Sequence, residues 1–194
     1  MQFGTEEMRK YDPDYERHGG EAALEIRNFS QDFLTSHRPI HAVTGLSFTA
    51  KRGKITALVG ESGSGKSSAA LTIMGIQAKN AVIRGGEIYL AGKEILSMPK
   101  KDRRFYISRH AGMIFQDPAD SLNPLFTVGD QLIEAVLVHE KLSRKQAAAI
   151  AADQLRAVSL PRPEEMMKRY PFMLSGGMCQ RVMIAIAGIT RPPL

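Results

Sequence analysis

The residues best suited to chemistry form a glycine-rich segment, Gly60-Glu61-Ser62-Gly63-Ser64-Gly65-Lys66-Ser67. It matches the phosphate-binding pattern G-x-x-x-x-G-K-[ST] at every required position. Successive backbone N–H groups of such a loop form a concave anion site, and glycine allows a phosphate to approach the backbone closely. We expect Lys66 to face the β- and γ-phosphates, the Ser67 hydroxyl to ligate a bridging Mg²⁺, and Ser68 to bind the nucleotide with the rest of the loop. The segment therefore predicts a site for a nucleoside triphosphate and Mg²⁺.

A second glycine pair lies in the run LSGGMCQR, residues 174–181. Ser175 is a good N-cap, and Gly176 and Gly177 leave backbone N–H groups bare at the start of an apolar helix. The run has no lysine after its glycines and no buried strand before them, so this second anion site need not hold a nucleotide of its own. Taken alone, the run is equally compatible with an ordinary capped core helix.

Strands and one helix are expected around the first loop. The run KITALVG, residues 54–60, predicts a buried strand that enters the loop, and an apolar helix is expected from about Ser67 to Ile76. The runs ALEIRNFSQDF and AVTGLSFTA predict earlier strands, GGEIYLAGKEI predicts a hairpin, and HAGMIFQDP predicts another short strand. These elements together indicate an α/β fold.

A helical insert is expected on this sheet-based core. From Thr127 to Ser159 the apolar residues have helical spacing, and Ser143 is a plausible N-cap. At the other end of the chain, residues 1–22 are polar and contain two successive glycines, so they predict a flexible extension before the fold.

Composition limits the possible partners. The formal net charge is +6, and the densest basic cluster, residues 100–109, lacks the regularly interleaved aromatics of a single-strand binding surface. We therefore expect no nucleic-acid partner.

No apolar run approaches the ~20 residues that cross a bilayer. One cysteine, Cys179, cannot form an internal disulfide, which fits a reducing compartment.

The two loops together support a resemblance to a known family. The LSGG-x-x-QR run resembles the signature of ABC ATPases, and GMIFQDPADSLNPLFTVGDQL with YPFMLSGGMCQRVMIAIA resembles the oligopeptide/dipeptide/nickel importers in particular. The resemblance covers about residues 23–194. It implies a P-loop NTPase core with N-terminal antiparallel strands and a helical subdomain at about 127–170. It also implies ATP and Mg²⁺ as ligands, with ATP hydrolysis coupled to uptake of a peptide or nickel.

The resemblance also assigns roles to residues outside the first loop. Gln116 would be the glutamine that senses Mg²⁺ and the γ-phosphate and contacts the membrane domain. The signature residues would face the γ-phosphate held by a second subunit: Ser175, Gly176, Gly177 and Gln180. Phe33 is the candidate for stacking on adenine, with Phe29 and His37 as alternatives.

The family also implies partners and a location. We expect transmembrane permease subunits, a second ATP-binding subunit that is identical or different, and indirectly an extracytoplasmic solute-binding protein. The chain would then lie peripherally on the cytoplasmic face of the membrane.

One feature of the family pattern is not found in this sequence. Relatives follow the signature helix with a strand ending in Asp-Glu and then a switch histidine, whereas this sequence reads ITRPPL up to Leu194. We therefore expect the C-terminal part of the core to be missing and this chain to bind ATP but hydrolyse it poorly. A non-catalytic regulatory fragment is one alternative. A DNA-repair type ABC ATPase is less favoured, because no heptad repeat or CxxC separates the two loops.

Overall fold

The structure is a computed structural model of the chain and describes residues 22–194. These residues form two units: residues 22–111 with 193–194, and residues 112–192. The predicted N-terminal extension lies outside the described residues except for Ala22, which is the first residue of a strand.

An antiparallel sheet dominates the first unit. Its strands lie in the order β2-β1-β3-β4, where the bounds are β1 Ala22–Phe33, β2 Ile40–Lys51, β3 Ala81–Leu90 and β4 Lys93–Glu94. In the register, Ile26 of β1 lies opposite Phe48 of β2 and Ile88 of β3. Ile26 and Ile88 are almost fully buried, so this face of the sheet forms the core of the unit. The two early strands and the hairpin predicted from sequence are confirmed.

Two helices accompany this sheet. Helix α1, Lys66–Ile73, starts one residue before its predicted beginning and ends three residues before its predicted end. Helix α2, Lys100–His110, was not predicted, because its apolar residues Phe105, Tyr106 and Ile107 are consecutive and give no helical spacing. It is held by one apolar position in particular, Ile107, which is 2% exposed and belongs to the core of the unit.

Two predicted strands are wrong. Residues 54–60 are neither helix nor strand, and their apolar side chains are exposed: Ile55 is fully exposed and Val59 is 86% exposed. Residues 111–117 are likewise irregular, with Ile114 and Phe115 exposed. The physical reason is the same for both. A strand needs a hydrogen-bonded neighbour, and no strand among residues 22–194 pairs with either segment.

The second unit is helical. Its helices are α3 Pro118–Ser121, α4 Val128–Leu137, α5 Arg144–Ala157, α6 Pro163–Met166 and α7 Gly176–Gly188. Leu132, Leu155 and Val182, one from each long helix, are fully buried and join these helices in one core. Ser143 caps α5 as predicted and forms a capping box with Gln146. Within the described residues, no helix has both the length and the apolarity to cross a bilayer.

Candidate functional site

The phosphate-binding pattern forms a loop whose position is fixed by β2. Gly65, the N-cap of α1, has a φ of 87°. A Cβ atom there would lie 2.1 Å from the carbonyl oxygen of Ala42 on β2. Only glycine satisfies both the positive φ and this close approach. The contact with Ala42 therefore determines where α1 begins relative to the sheet.

Lys66 lies within the curve of the loop. Its Nζ donates to the carbonyl oxygens of Gly60 at 2.8 Å and Glu61 at 2.6 Å, and to the hydroxyl of Ser64 at 3.2 Å. The ammonium is thus held against the backbone by three oxygen acceptors. Anionic oxygens of a phosphate would compete for the same donors with a full negative charge, which makes them stronger acceptors than carbonyls.

The groups around Lys66 fit a Mg²⁺–triphosphate. Helix α1 has no side-chain cap and no acidic residue in its first turn. Its first backbone N–H groups are therefore available to an anion, and the helix dipole adds partial positive charge. Ser67 is exposed, and its hydroxyl makes no hydrogen bond within residues 22–194. A hydroxyl oxygen of this kind is a suitable ligand for a hard cation such as Mg²⁺.

A buried hydrogen bond behind α1 was not foreseen from the sequence. Thr72 Oγ1 donates to Gln31 Oε1 at 2.6 Å, and both residues are buried. The bond ties α1 to β1. The available signal was the position of Gln31, two residues after the fully buried Phe29 and so on the same face of β1.

Phe33 lies close in the sheet to the strand that contacts the loop. It is the last residue of β1, is half-buried, and pairs with Ile40 of β2. Ala42, which meets Gly65, follows Ile40 by two residues. Phe33 therefore pairs with a β2 residue that lies two positions before the loop contact at Ala42. Its role in binding adenine stays a prediction.

The second glycine pair begins helix α7. Ser175 is the N-cap as predicted, and its Oγ accepts the N–H of Met178 at 3.4 Å. Cβ atoms added at Gly176 or Gly177 would meet nothing within 4 Å. Both glycines are exposed, and so is Gln180. The start of α7 is therefore accessible to a ligand or a partner protein.

The opposite face of α7 is fixed in the second unit. Cys179 is buried, and its Sγ donates to the carbonyl oxygen of Pro171 at 3.6 Å. Burial raises the pKa of this thiol above its usual range, which disfavours the reactive thiolate form. Arg181 Nη1 donates to the carbonyl oxygen of Val158 at 2.8 Å, which anchors α7 to the end of α5.

Gln116 lies in the irregular segment before α3 and is exposed. Its side chain forms no hydrogen bond with another described residue. The predicted site residues are thus gathered in two groups. The phosphate loop belongs to the first unit, whereas Gln116 and the residues at the start of α7 belong to the second.

Comparison with known proteins decides the family. Residues 43–194 match the family described as ABC transporter. The chain belongs to the ABC transporter family.

Its relatives within the ABC transporter family include peptide transport proteins. The chain is 43% identical over 172 residues to the oligopeptide transport ATP-binding protein AppD of Bacillus subtilis, a match that covers 88% of the chain and 52% of AppD. It is 39% identical over 173 residues to the dipeptide transport ATP-binding protein DppD of Escherichia coli, covering 89% and 53%. The chain therefore spans about half the length of the curated relatives it matches.

Solved structures of ABC proteins show the same fold. The dimeric ATP-binding cassette MJ0796 bound to ADP and Pi matches with a TM-score of 0.77 and 23% identity, covering 88% of this chain and 71% of that one. An ATP-binding subunit of an ABC transporter matches with a TM-score of 0.67 and 26% identity, covering 88% and 63%. The α/β ABC ATPase fold expected from the sequence is confirmed.

Proposed function

We propose that this chain is the ATP-binding part of an ABC importer that takes up peptides, with nickel as the alternative solute. The observation that carries the proposal is the geometry at Lys66, whose ammonium lies in the loop next to a helix start without a cap. The relatives AppD and DppD, whose names specify oligopeptide and dipeptide transport, support the choice of solute.

Residues of the loop would hold the triphosphate of ATP. The N–H groups of residues 60–67 and the start of α1 bind its oxygens, and Lys66 neutralises charge on the β- and γ-phosphates. Ser67 would hold Mg²⁺ through its hydroxyl, and the role expected for Gln116 in sensing Mg²⁺ stays a prediction. When bound, Mg²⁺ supplies charge neutralisation between the β- and γ-phosphates. Phe33 would position the nucleotide by stacking on adenine, a contact of order ~1–3 kcal/mol.

The start of α7 would close over a nucleotide held by a second subunit. Ser175, Gly176 and Gly177 present N–H groups and a hydroxyl without any side chain in the way. In this arrangement the γ-phosphate joins two chains, and Gln180 lies near the same surface. Loss of the γ-phosphate weakens the dimer, because each chain then loses the anion that its α7 contacts.

The other partners follow from coupling to transport. Gln116 and the helical subdomain, at about 127–170, would contact transmembrane permease subunits on the cytoplasmic face of the membrane. An extracytoplasmic solute-binding protein would act only through those subunits. Failure of the chain to co-purify with a permease subunit from the same source, in the presence of ATP, would count against this part of the proposal.

A second candidate is a nucleotide-binding fragment with little turnover. Residues 166–194 contain no carboxylate, so the segment after the signature supplies no general base for water. We expect residues 1–194 to bind Mg·ATP and to release phosphate slowly. Measured turnover at the rate of a complete ABC ATPase would exclude this candidate.

The direct test of nucleotide binding is Lys66→Ala in the full chain. We expect the affinity for Mg·ATP to fall by roughly tenfold or more, because one charge-assisted contact to the phosphates is lost. Lys145→Ala, which removes an exposed lysine from the second unit, is the matched control. Binding can be measured with a fluorescent ATP analogue. Equal affinity in the two variants would overturn the assignment of the loop.

A further inference from the structure

A second basic cavity lies in the first unit, separate from the phosphate loop. It has a volume of about 370 Å³ and lies between the turn after α1 and the first half of α2. Its lining contains no acidic residue and four basic ones: Lys79, Lys100, Arg103 and Arg104. Two segments far apart in sequence therefore direct cations to one concave site.

The four cations have no counter-ion within the described chain. None of them forms an ion pair or side-chain hydrogen bond with another residue in the range 22–194. Other basic residues do: Arg84 approaches Asp32, and Arg144 pairs with Asp130. Asp102, in the first turn of α2, does not line the cavity. Like charges gathered without a partner repel one another, and an anion placed among them relieves that repulsion.

The walls of the cavity also favour an anion. Helix α2 begins after Pro99, which provides no side-chain cap, so its first backbone N–H groups have no side-chain acceptor, and Asp102 is the one acidic residue in its first turn. The end of α1 would present carbonyl groups. Those of Ala70, Leu71 and Thr72 already accept the N–H groups of residues 74–76. The negative end of α1 is therefore satisfied within its own turn.

One further group indicates what kind of anion fits. Gln77 also lines the cavity, and its Oε1 is buried without a hydrogen-bond donor among the described residues. An acceptor of this kind needs a hydroxyl or an N–H from a ligand. A ligand that carries both anionic oxygens and a hydroxyl would satisfy the arginines, the lysines and Gln77 together.

We propose that this cavity is an anion site for a phosphate group, borne either by a soluble phosphate compound or by the headgroup of an anionic phospholipid. Arg103 and Arg104 would bind the phosphate oxygens, and Gln77 would accept from a protonated phosphate oxygen or a headgroup hydroxyl. Arg103 is half-buried whereas Arg104 is exposed, so Arg103 would be the less screened and stronger contact of the two. The site does not depend on nucleotide binding at residues 60–67.

The test neutralises the cavity in the full chain. All variants also carry Lys66→Ala, so that the phosphate loop contributes equally little. The test variant is Arg103→Gln with Arg104→Gln. The control is Lys141→Gln with Lys145→Gln, which removes the same charge from an exposed surface of the second unit. The soluble probe is inorganic pyrophosphate, measured by calorimetry. The membrane probe is sedimentation with vesicles of phosphatidylcholine, with and without phosphatidylglycerol.

We expect the test variant to lose about tenfold or more in affinity for at least one probe, while the control stays within about twofold of the parent chain. A loss confined to pyrophosphate identifies a soluble phosphate as the ligand, and a loss confined to phosphatidylglycerol vesicles identifies a headgroup. Arg103→Lys with Arg104→Lys should recover most of the binding, which separates charge from folding of α2. Equal losses in the test and control variants, or no binding of either probe by the parent chain, would overturn the proposal.

Discussion

Two glycine-rich turns, the phosphate loop at residues 60–67 and the start of α7 at residues 175–177, use glycine for different reasons. In the first turn, Gly65 has a positive φ, and a Cβ atom would collide with the carbonyl oxygen of Ala42. In the second turn, Gly176 and Gly177 have no positive φ, and a Cβ atom on either would meet only open space. The fold requires glycine in the first turn and does not require it in the second.

The difference indicates what each turn is for. Two glycines at the N-terminal end of a helix lower its stability, because glycine loses more backbone entropy than alanine on becoming helical. No described residue lies within 4 Å of a Cβ at Gly176 or Gly177, so packing within the chain does not require glycine at either position. We therefore expect their benefit to come from close approach of a ligand or partner, as in the proposed contact with the γ-phosphate of a second subunit.

The largest expected effect is at Gly65. Gly65→Ala should lower the free energy of unfolding of the first unit by about 2–5 kcal/mol, because positive-φ strain and the clash with Ala42 add together. Urea unfolding followed by circular dichroism measures it. Gly53→Ala is the matched control, since Gly53 also has a positive φ, at 64°, but has nothing within 4 Å of its Cβ position. Equal losses in the two variants would show that the contact with β2 does not matter.

The second turn should respond in the opposite direction. Gly176→Ala and Gly177→Ala should each raise the free energy of unfolding by about 0.5–1 kcal/mol, because alanine favours the helix and meets no obstacle. The same unfolding experiment detects the gain. A loss of stability in either variant would mean that the fold itself needs these glycines, and the contrast between the turns would fail.

The smallest expected effect is at Glu94 of β4 and concerns how the stability of the chain changes at acid pH. Burial raises the pKa of Glu94, but hydrogen bonds from Ser97 and from the N–H groups of Leu96 and Ile88 outweigh it, so the pKa lies below its ordinary value of 4.5. Glu94 therefore stabilises the fold above that value, and its contribution is lost as pH falls through the lowered pKa. Glu94→Gln should destabilise the chain at neutral pH. It should also reduce the fall in the free energy of unfolding between pH ~5 and ~3.

The control for this prediction is Glu134→Gln, which removes one exposed carboxylate from the second unit. Thermal unfolding across the acid range compares the two variants with the parent chain. An unchanged acid profile in Glu94→Gln would contradict the role of Glu94 in stabilising the turn after β4.

Local patterns predicted the elements that depend on local interactions. Ser143 and Ser175 cap helices as expected, because a cap involves residues only three positions apart. The hairpin of β3 and β4 followed from its glycine turn. Helix α2 was missed because its apolar residues Phe105, Tyr106 and Ile107 are consecutive, and a run of neighbours gives no 3.6-residue periodic signal.

Long-range contacts could not be predicted in this way. Residues 54–60 have the composition of a buried strand, but pairing depends on a neighbour that the run itself does not specify. In the site, the pattern predicted a loop at residues 60–67 that leads into a helix, and α1 begins at Lys66. It did not show that Gly65 meets Ala42 or that Thr72 binds Gln31, because those partners are 23 and 41 positions away.

The central claim is that one chain grips a triphosphate with Lys66 while the start of α7 from a second chain covers its far end. Analytical ultracentrifugation with and without Mg·ATP, on the parent chain and on Ser175→Arg, tests it most directly. We predict that ATP converts the parent chain to dimers, and that Ser175→Arg binds ATP within about twofold of the parent chain but stays monomeric, since the arginine fills the open helix start. Dimerisation of Ser175→Arg to the same extent as the parent chain would contradict the claim.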